Sequence, residues 1–132
     1  DYSIYVDGSF MNQRVGYGAV IIKQNEPVFE IFGEVKEKIL SSRNVVGELE
    51  AVKMSLQWLQ QKKIKEVAIF YDYEGICKWV TGEWKANLPL TQQYAQEVRE
   101  SKIRIHWHKV KSHSGNKWND RADVLSRKAI LC

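Results

Sequence analysis

Three apolar runs rich in strand-forming residues open the chain: Ser3–Phe10, Val15–Lys23 and Val28–Val35. Asn12, Gly16, Asn25 and Pro27 separate them, so the segment reads as an antiparallel meander. The period then changes. Val45, Leu49, Val52, Leu56 and Leu59 step by four and three, which predicts an amphipathic helix from about Asn44 to Lys62, capped by Ser42 or Asn44. Val67–Tyr71 is a short continuous apolar run, suited to a strand buried on both faces. A short helix over Glu74–Thr81 is stopped by Gly82, and Thr91–Ser101 forms another after the Asn87-Leu88-Pro89 break. Ile103, Ile105 and Trp107 alternate with Arg104, His106 and His108 in a half-covered strand. The last helix, Lys117–Ala129, puts Trp118, Ala122, Leu125 and Ala129 on one face. The order is βββαβααβα, an α/β domain over residues 1–132 with no repeat or linker.

Against this pattern a few acids stand out. Asp72 lies just past a buried strand, where open α/β sheets bind ligands. Glu48 falls at the edge of its helix's apolar face, within about 40° of Val52 and Leu59, whereas Glu50 projects to the opposite, solvated side. A carboxylate there costs desolvation unless a cation meets it, and taken alone an ion pair with a nearby Lys or Arg is the commoner arrangement. Asp7 interrupts a strand, although Asp is a poor strand residue. An Asp-Gly turn is the ordinary explanation, but apolar character resumes at Phe10 and Met11 and the clearer turn comes near Asn12. In the last helix Asn119, Asp123 and Ser126 form a polar stripe beside the core face, with Asp120 further towards solvent.

Convergence of Asp7, Glu48, Asp72 and Asp123 carries a definite cost. Two like charges about 6 Å apart repel by roughly 3 kcal/mol at an effective dielectric near 20. Several such pairs consume much of a typical stability of about 5–15 kcal/mol, so the cluster needs divalent cations or shifted protonation. All-oxygen donors favour Mg²⁺ or Mn²⁺ over zinc, and no Cys/His spacing competes. The net charge of +4 over 132 residues permits a polyanionic partner without identifying one. No apolar run approaches the roughly 18 residues of a membrane span. Cys77 and Cys132 read as reduced thiols of a cytoplasmic protein.

Five pieces, in order, carry a family resemblance. They are Tyr5-Val6-Asp7-Gly8-Ser9, Asn44-Val45-Val46-Gly47-Glu48-Leu49-Glu50-Ala51, Ile69-Phe70-Tyr71-Asp72-Tyr73, Lys111-Ser112-His113-Ser114-Gly115 and Asn119-Asp120-Arg121-Ala122-Asp123-Val124-Leu125. With them the chain resembles the catalytic domain of type 1 ribonuclease H across nearly its whole length. The resemblance implies that family's fold, a five-stranded mixed sheet (three antiparallel strands, then two parallel) flanked by helices. It implies Asp7, Glu48, Asp72 and Asp123 as ligands of two Mg²⁺ ions, with Mn²⁺ as a substitute, and it selects Asp123 over Asp120. His113 is implied in proton transfer or product release, while His106 and His108 match nothing and read as strand surface.

The implied reaction is endonucleolytic hydrolysis of the RNA strand of an RNA–DNA hybrid by a two-metal mechanism, leaving 5′-phosphate and 3′-hydroxyl ends. Gly8, Ser9 and Asn44 match positions that contact the minor groove and sugars, and Asn119 is carried over as a substrate-binding position. Trp79, Gly82, Trp84, Lys85 and Asn87 fall where the family meets the DNA strand. Core packing is the simpler account of Trp79, whereas Trp84 beside Lys85 reads as a ligand-facing pair. The stretch Trp84–Thr91 is too short for the extra helix and basic protrusion of larger relatives. The runs Tyr71–Ile76 and Gly82–Asn87 resemble bacterial forms that carry an N-terminal hybrid-binding module, so such a domain is expected in the full-length, monomeric protein. A silent hybrid-binding module and a ribonuclease H domain detached from a reverse transcriptase are the competing readings.

Overall fold

The computed structural model describes residues 1–36, 43–111 and 115–131, with Arg43 and Asn44 in backbone only. Strands β1 (Tyr2–Met11), β2 (Arg14–Lys23) and β3 (Glu26–Val35) form the expected meander. Its two hairpins turn at Asn12–Gln13 (φ 52° and 66°) and Gln24–Asn25 (φ 54° and 66°). Two consecutive positive φ angles give the turn twist that suits a two-residue hairpin. Gly16 and Pro27 are not separators. Gly16 lies inside β2, and Pro27 inside β3 at a register shift opposite Ile21 and Ile22. Because β3 is an edge strand, a residue without an N–H is tolerated there.

Helix α1 (Arg43–Gln61) leads to β4 (Glu66–Tyr71), then α2 (Gly75–Thr81), α3 (Pro89–Glu100), β5 (Arg104–Lys109) and α4 (Lys117–Lys128). Strand order is β3-β2-β1-β4-β5, with β1, β4 and β5 mutually parallel. This is the five-stranded mixed sheet expected. Gly82 (φ 86°) ends α2, Pro89 opens α3, and the Asn116 side chain caps α4 by accepting from the Trp118 and Asn119 amides. Only residues 82–88 join α2 to α3, and no further helix stands between them.

Helices α1, α2 and α3 cover one face of the sheet, where Leu49, Val52, Leu56 and Leu59 meet Ile4, Val6 and Ile69. Tyr94 is fully buried and donates its hydroxyl to the Ile76 carbonyl at 2.6 Å. Helix α4 covers the other face, with Ala122 and Leu125 against Tyr5, Val20 and Ile22. It reaches only part of that face. Val67, Ile69 and Tyr71 are buried, but Ala68 and Phe70 are half-covered, so β4 is not buried on both sides. Phe70 instead stacks between Tyr5 and His108, at 4.4 and 4.8 Å between ring centroids. Glu50 is likewise half-buried rather than fully solvated, 3.5 Å from the Lys53 ammonium.

Close approach of α1 to the sheet depends on Gly47. A Cβ there would lie 2.3 Å from the Gly16 carbonyl oxygen and 2.8 Å from the Gly8 Cα. Both are backbone atoms that cannot swing aside. Gly47→Ala is therefore expected to lower stability by about 1–3 kcal/mol, the usual overpacking range. Urea denaturation checks this, and an unchanged midpoint would show that the helix can lift without cost.

Candidate active site

The central position of β1 sets the geometry. Tyr5 of β1 pairs with Phe70 of β4, and two residues further along the parallel strands come Asp7 and Asp72. Alternation puts Tyr5, Asp7 and Ser9 on the α4 side, since Tyr5 packs with Ala122 and Leu125 and Ser9 meets Ser126. Asp123 arrives from α4, while Glu48 reaches round the end of β4 from α1 on the opposite face. All four acids line one open cavity of about 590 Å³. Asp120 is exposed and does not line it.

Glu48 is 4% exposed, and among the described residues no Lys or Arg pairs with it. Its carboxylate instead accepts the Asp72 amide at 2.6 Å and the Tyr73 amide at 3.3 Å. Burial pushes the Glu48 carboxyl up to about 8, against the pull of the Asp72 amide; the negative charge of Asp7 adds to the rise. Asp7 is pushed up to about 7. Burial is again the main cause, opposed by the Gly8 amide at 2.8 Å from Oδ1 and reinforced by the charges of Asp123 and Asp72. Asp123 thus adds to the rise of Asp7, as a like charge on the facing helix does.

These acids fit a hard divalent cation by donor chemistry: all are carboxylates, on one cavity, two of them held above the normal acid range by burial and by neighbouring acids. Among the described residues no three such groups stand close enough to chelate an ion without side-chain rotation. Two cationic side chains among the described residues share the cavity: Arg127, whose Nη2 lies 3.0 Å from Asp123, and Lys109. Arg127 is absent from the sequence expectations. Its four-residue spacing from Asp123 on one helix face is the signal that could have found it.

The remaining predicted positions divide. Gly8 lines the cavity. Ser9 does too, but its hydroxyl is engaged by Ser126, which leaves its backbone to face a ligand. Asn119, in the first turn of α4, is 4% exposed and does not line the cavity. Trp84 and Lys85 sit apart, on a second cavity of about 650 Å³ with Trp79 and Arg99. Tyr73 joins the two regions. It lines the acid cavity and makes ring contacts with Trp79 at 5.8 Å and Trp84 at 6.0 Å. Trp79 is half-buried and meets both the core and this cluster. His113, Ser42, Cys132 and the Asn44 side chain lie outside the described residues.

Comparison with known proteins shows the family. The family model described as RNase H matches residues 1–131. A ribonuclease H of Campylobacter jejuni (strain 81-176) is 33% identical over 140 residues, spanning 97% of this chain and 90% of that protein. The RNase H1 of the halophilic archaeon Halobacterium salinarum shares the fold at a TM-score of 0.79 and 21% identity, covering 98% of this chain and 96% of its own. LC11-RNase H1, solved in complex with an RNA/DNA hybrid, superposes at a TM-score of 0.80 and 24% identity, covering 98% and 96%. A match over nearly every residue, on a shared fold whose acids here gather at one cavity, places the chain in the ribonuclease H family of hydrolases.

Proposed function

We propose that the protein is a type 1 ribonuclease H whose single catalytic domain, residues 1–132, cuts the RNA strand of RNA–DNA hybrids in the cytoplasm as a monomer. The observation that carries this reading is the convergence of Asp7, Glu48, Asp72 and Asp123 on one cavity. A pure binding module gains nothing from four acids beneath a phosphodiester. When bound, two Mg²⁺ ions, or Mn²⁺ in their place, supply charge neutralisation at the phosphate and acidify the attacking water, and 5′-phosphate and 3′-hydroxyl products follow.

The chain's own groups do the rest. Asp7 on the central strand β1 and Asp72 just past the end of β4 would supply carboxylate ligands to the cations, with Asp123 from α4 and Glu48 from α1. The two amides on Glu48 fix its carboxylate at the cavity wall. Arg127 and Lys109 offer cations to phosphate oxygens flanking the cut. Gly8 and Ser9 present backbone to the RNA sugar edge, where the 2′-hydroxyl separates RNA from DNA, and Asn44 joins them from the start of α1. His113 serves proton transfer or product release. Trp84 and Lys85, beside Trp79, supply the stacking and basic surface for the DNA strand. The bacterial-like runs Tyr71–Ile76 and Gly82–Asn87 support a hybrid-binding module upstream in the full-length protein, and the coding sequence ahead of Asp1 tests that.

A labelled RNA–DNA hybrid, an RNA duplex and a DNA duplex, each with Mg²⁺ and then with chelator, test the activity. Metal-dependent cutting of the hybrid's RNA strand alone is expected, and no cleavage at micromolar enzyme sinks the proposal. For the fourth acid, Asp123→Asn should abolish Mg²⁺-supported cutting, whereas Asp120→Asn should leave it within about threefold, as a surface change does. The reverse pattern would place the ligand on the other side of α4.

A further inference from the structure

We propose that the buried hydroxyl pair Ser9–Ser126 is a positioning device that sets the separation of Asp7 from Asp123 and thereby the affinity of the acid cavity for a divalent cation. The inference rests on the catalytic reading above and assigns a task to residues outside the acid set.

Asp7 and Asp123 belong to different elements, so their spacing depends on how α4 lies against the sheet. The depth of that seat is set by glycine. A Cβ on Gly16 would come within 2.0 Å of the Ser126 carbonyl oxygen, and one on Gly18 within 2.5 Å of the Ala122 carbonyl oxygen. Helix backbone therefore rests on strand backbone. Bare contact of this kind limits approach but does not prevent sliding along the strands.

A directional link does. Ser9 Oγ and Ser126 Oγ lie 2.5 Å apart, and Ser126 Oγ also donates to the Asp123 carbonyl at 2.8 Å. A hydroxyl has one proton, so Ser126 spends its own on Asp123 and must accept from Ser9. The chain of contacts runs from β1, two residues beyond Asp7, through both hydroxyls to the backbone of Asp123 itself. Ser9 is 8% exposed and Ser126 0%, so both hydroxyls are largely shielded from bulk water. Two alanines would fill this space without any polar group to satisfy, so the hydroxyls contribute direction rather than packing. Direction matters because cation–oxygen distances near 2.0–2.1 Å leave a Mg²⁺ site little slack.

The test is calorimetric titration with Mn²⁺ in the absence of nucleic acid, on the wild type, Ser9→Ala, Ser126→Ala and the double variant, each with a guanidinium melt. All three variants are expected to bind Mn²⁺ about 10-fold more weakly, the usual effect of losing a group that orients a ligand. The melts separate this from a structural tether. Ser126→Ala strands the Ser9 hydroxyl and should lower the midpoint, and the double variant should recover much of it. Its Mn²⁺ affinity should not recover. Should Ser126→Ala fail to fold, Ser9→Ala carries the comparison, since Ser126 keeps its bond to Asp123 there. Affinities within twofold of wild type, or affinity that returns together with stability, overturn the proposal and leave the catalytic reading intact. A wild type that takes up no Mn²⁺ overturns that reading, and this inference with it.

Discussion

Asp7→Asn is expected to lower cleavage of the RNA strand in an RNA–DNA hybrid by about 10³-fold or more at saturating Mg²⁺, while the protein stays folded. Asparagine keeps the shape of the side chain and an oxygen that can accept the Gly8 amide, so β1 and its register have no reason to change. What disappears is a negative charge at the centre of the cavity, on the acid that neighbours both Asp72 and Asp123. Without it the remaining carboxylates face each other less and hold a cation less tightly. The measurement is single-turnover cleavage with enzyme in excess, alongside hybrid binding in Ca²⁺ or chelator. A loss smaller than about tenfold would remove Asp7 from the centre of the chemistry. Loss of hybrid binding equal to the loss of rate would recast it as a substrate contact.

The second large effect needs no substrate. In chelator, stability should fall as pH rises from about 5 to 8, and Mg²⁺ should restore it most strongly at the upper end. Asp7 titrates near 7 and Glu48 near 8 in the folded protein, against about 4 for free carboxyl groups. Between those limits the folded state holds protons that the unfolded chain has released. Its advantage is therefore complete below the unfolded values and is lost as pH climbs through the folded ones. A shift of about three units corresponds to roughly 4 kcal/mol per group, a sizeable share of an ordinary domain's 5–15 kcal/mol. Glu30, Glu34, Glu66 and Glu74 are shifted downward by their cationic partners, so their contributions change at lower pH and do not mask the trend. Guanidinium melts at pH 5.5 and pH 8 check it, with and without Mg²⁺. Flat stability across that interval, or no Mg²⁺ effect at pH 8, contradicts the burial assigned to these acids. Asp7→Asn should also flatten part of the slope, which ties the two results to one residue.

Much of this was legible before any coordinates because local periodicity is strong here. The four-and-three stepping of Val45 to Leu59 placed α1 within a residue of its ends, and it put Glu48 on the buried side. The break near Asn12 correctly kept Asp7 inside a strand. What local pattern cannot carry is which faces a distant element covers. Helix α4 is narrow and reaches β1 and β2 but not the whole of β4, so Phe70 looked like core and is a partly open stacking partner. Glu50 looked solvated because apolar periodicity alone does not show that Lys53, one turn on along α1 and paired also with Glu97 of α3, covers it. Asn119 looked accessible in a polar stripe, yet the glycine-lined seat draws α4 so close to the sheet that Asn119 and Ser126 are buried. The pairing of Glu48 was open to an ion pair, and two backbone amides 24 and 25 residues away satisfy it instead.

That last contact ties two tasks to one side chain. The amides of Asp72 and Tyr73 follow the end of β4, beyond its last ladder partner, and Glu48 is their acceptor. The acid thus closes the strand as an extra rung would. Glu48→Ala would take away the acceptor of two backbone donors as well as remove a cation ligand, and no rate measured on it would report chemistry alone. Glu48→Gln retains one acceptor oxygen for the Asp72 amide, so it is the substitution that separates ligand from rung. Any lineage that abandoned catalysis on this scaffold would have reason to keep an acceptor at position 48 all the same.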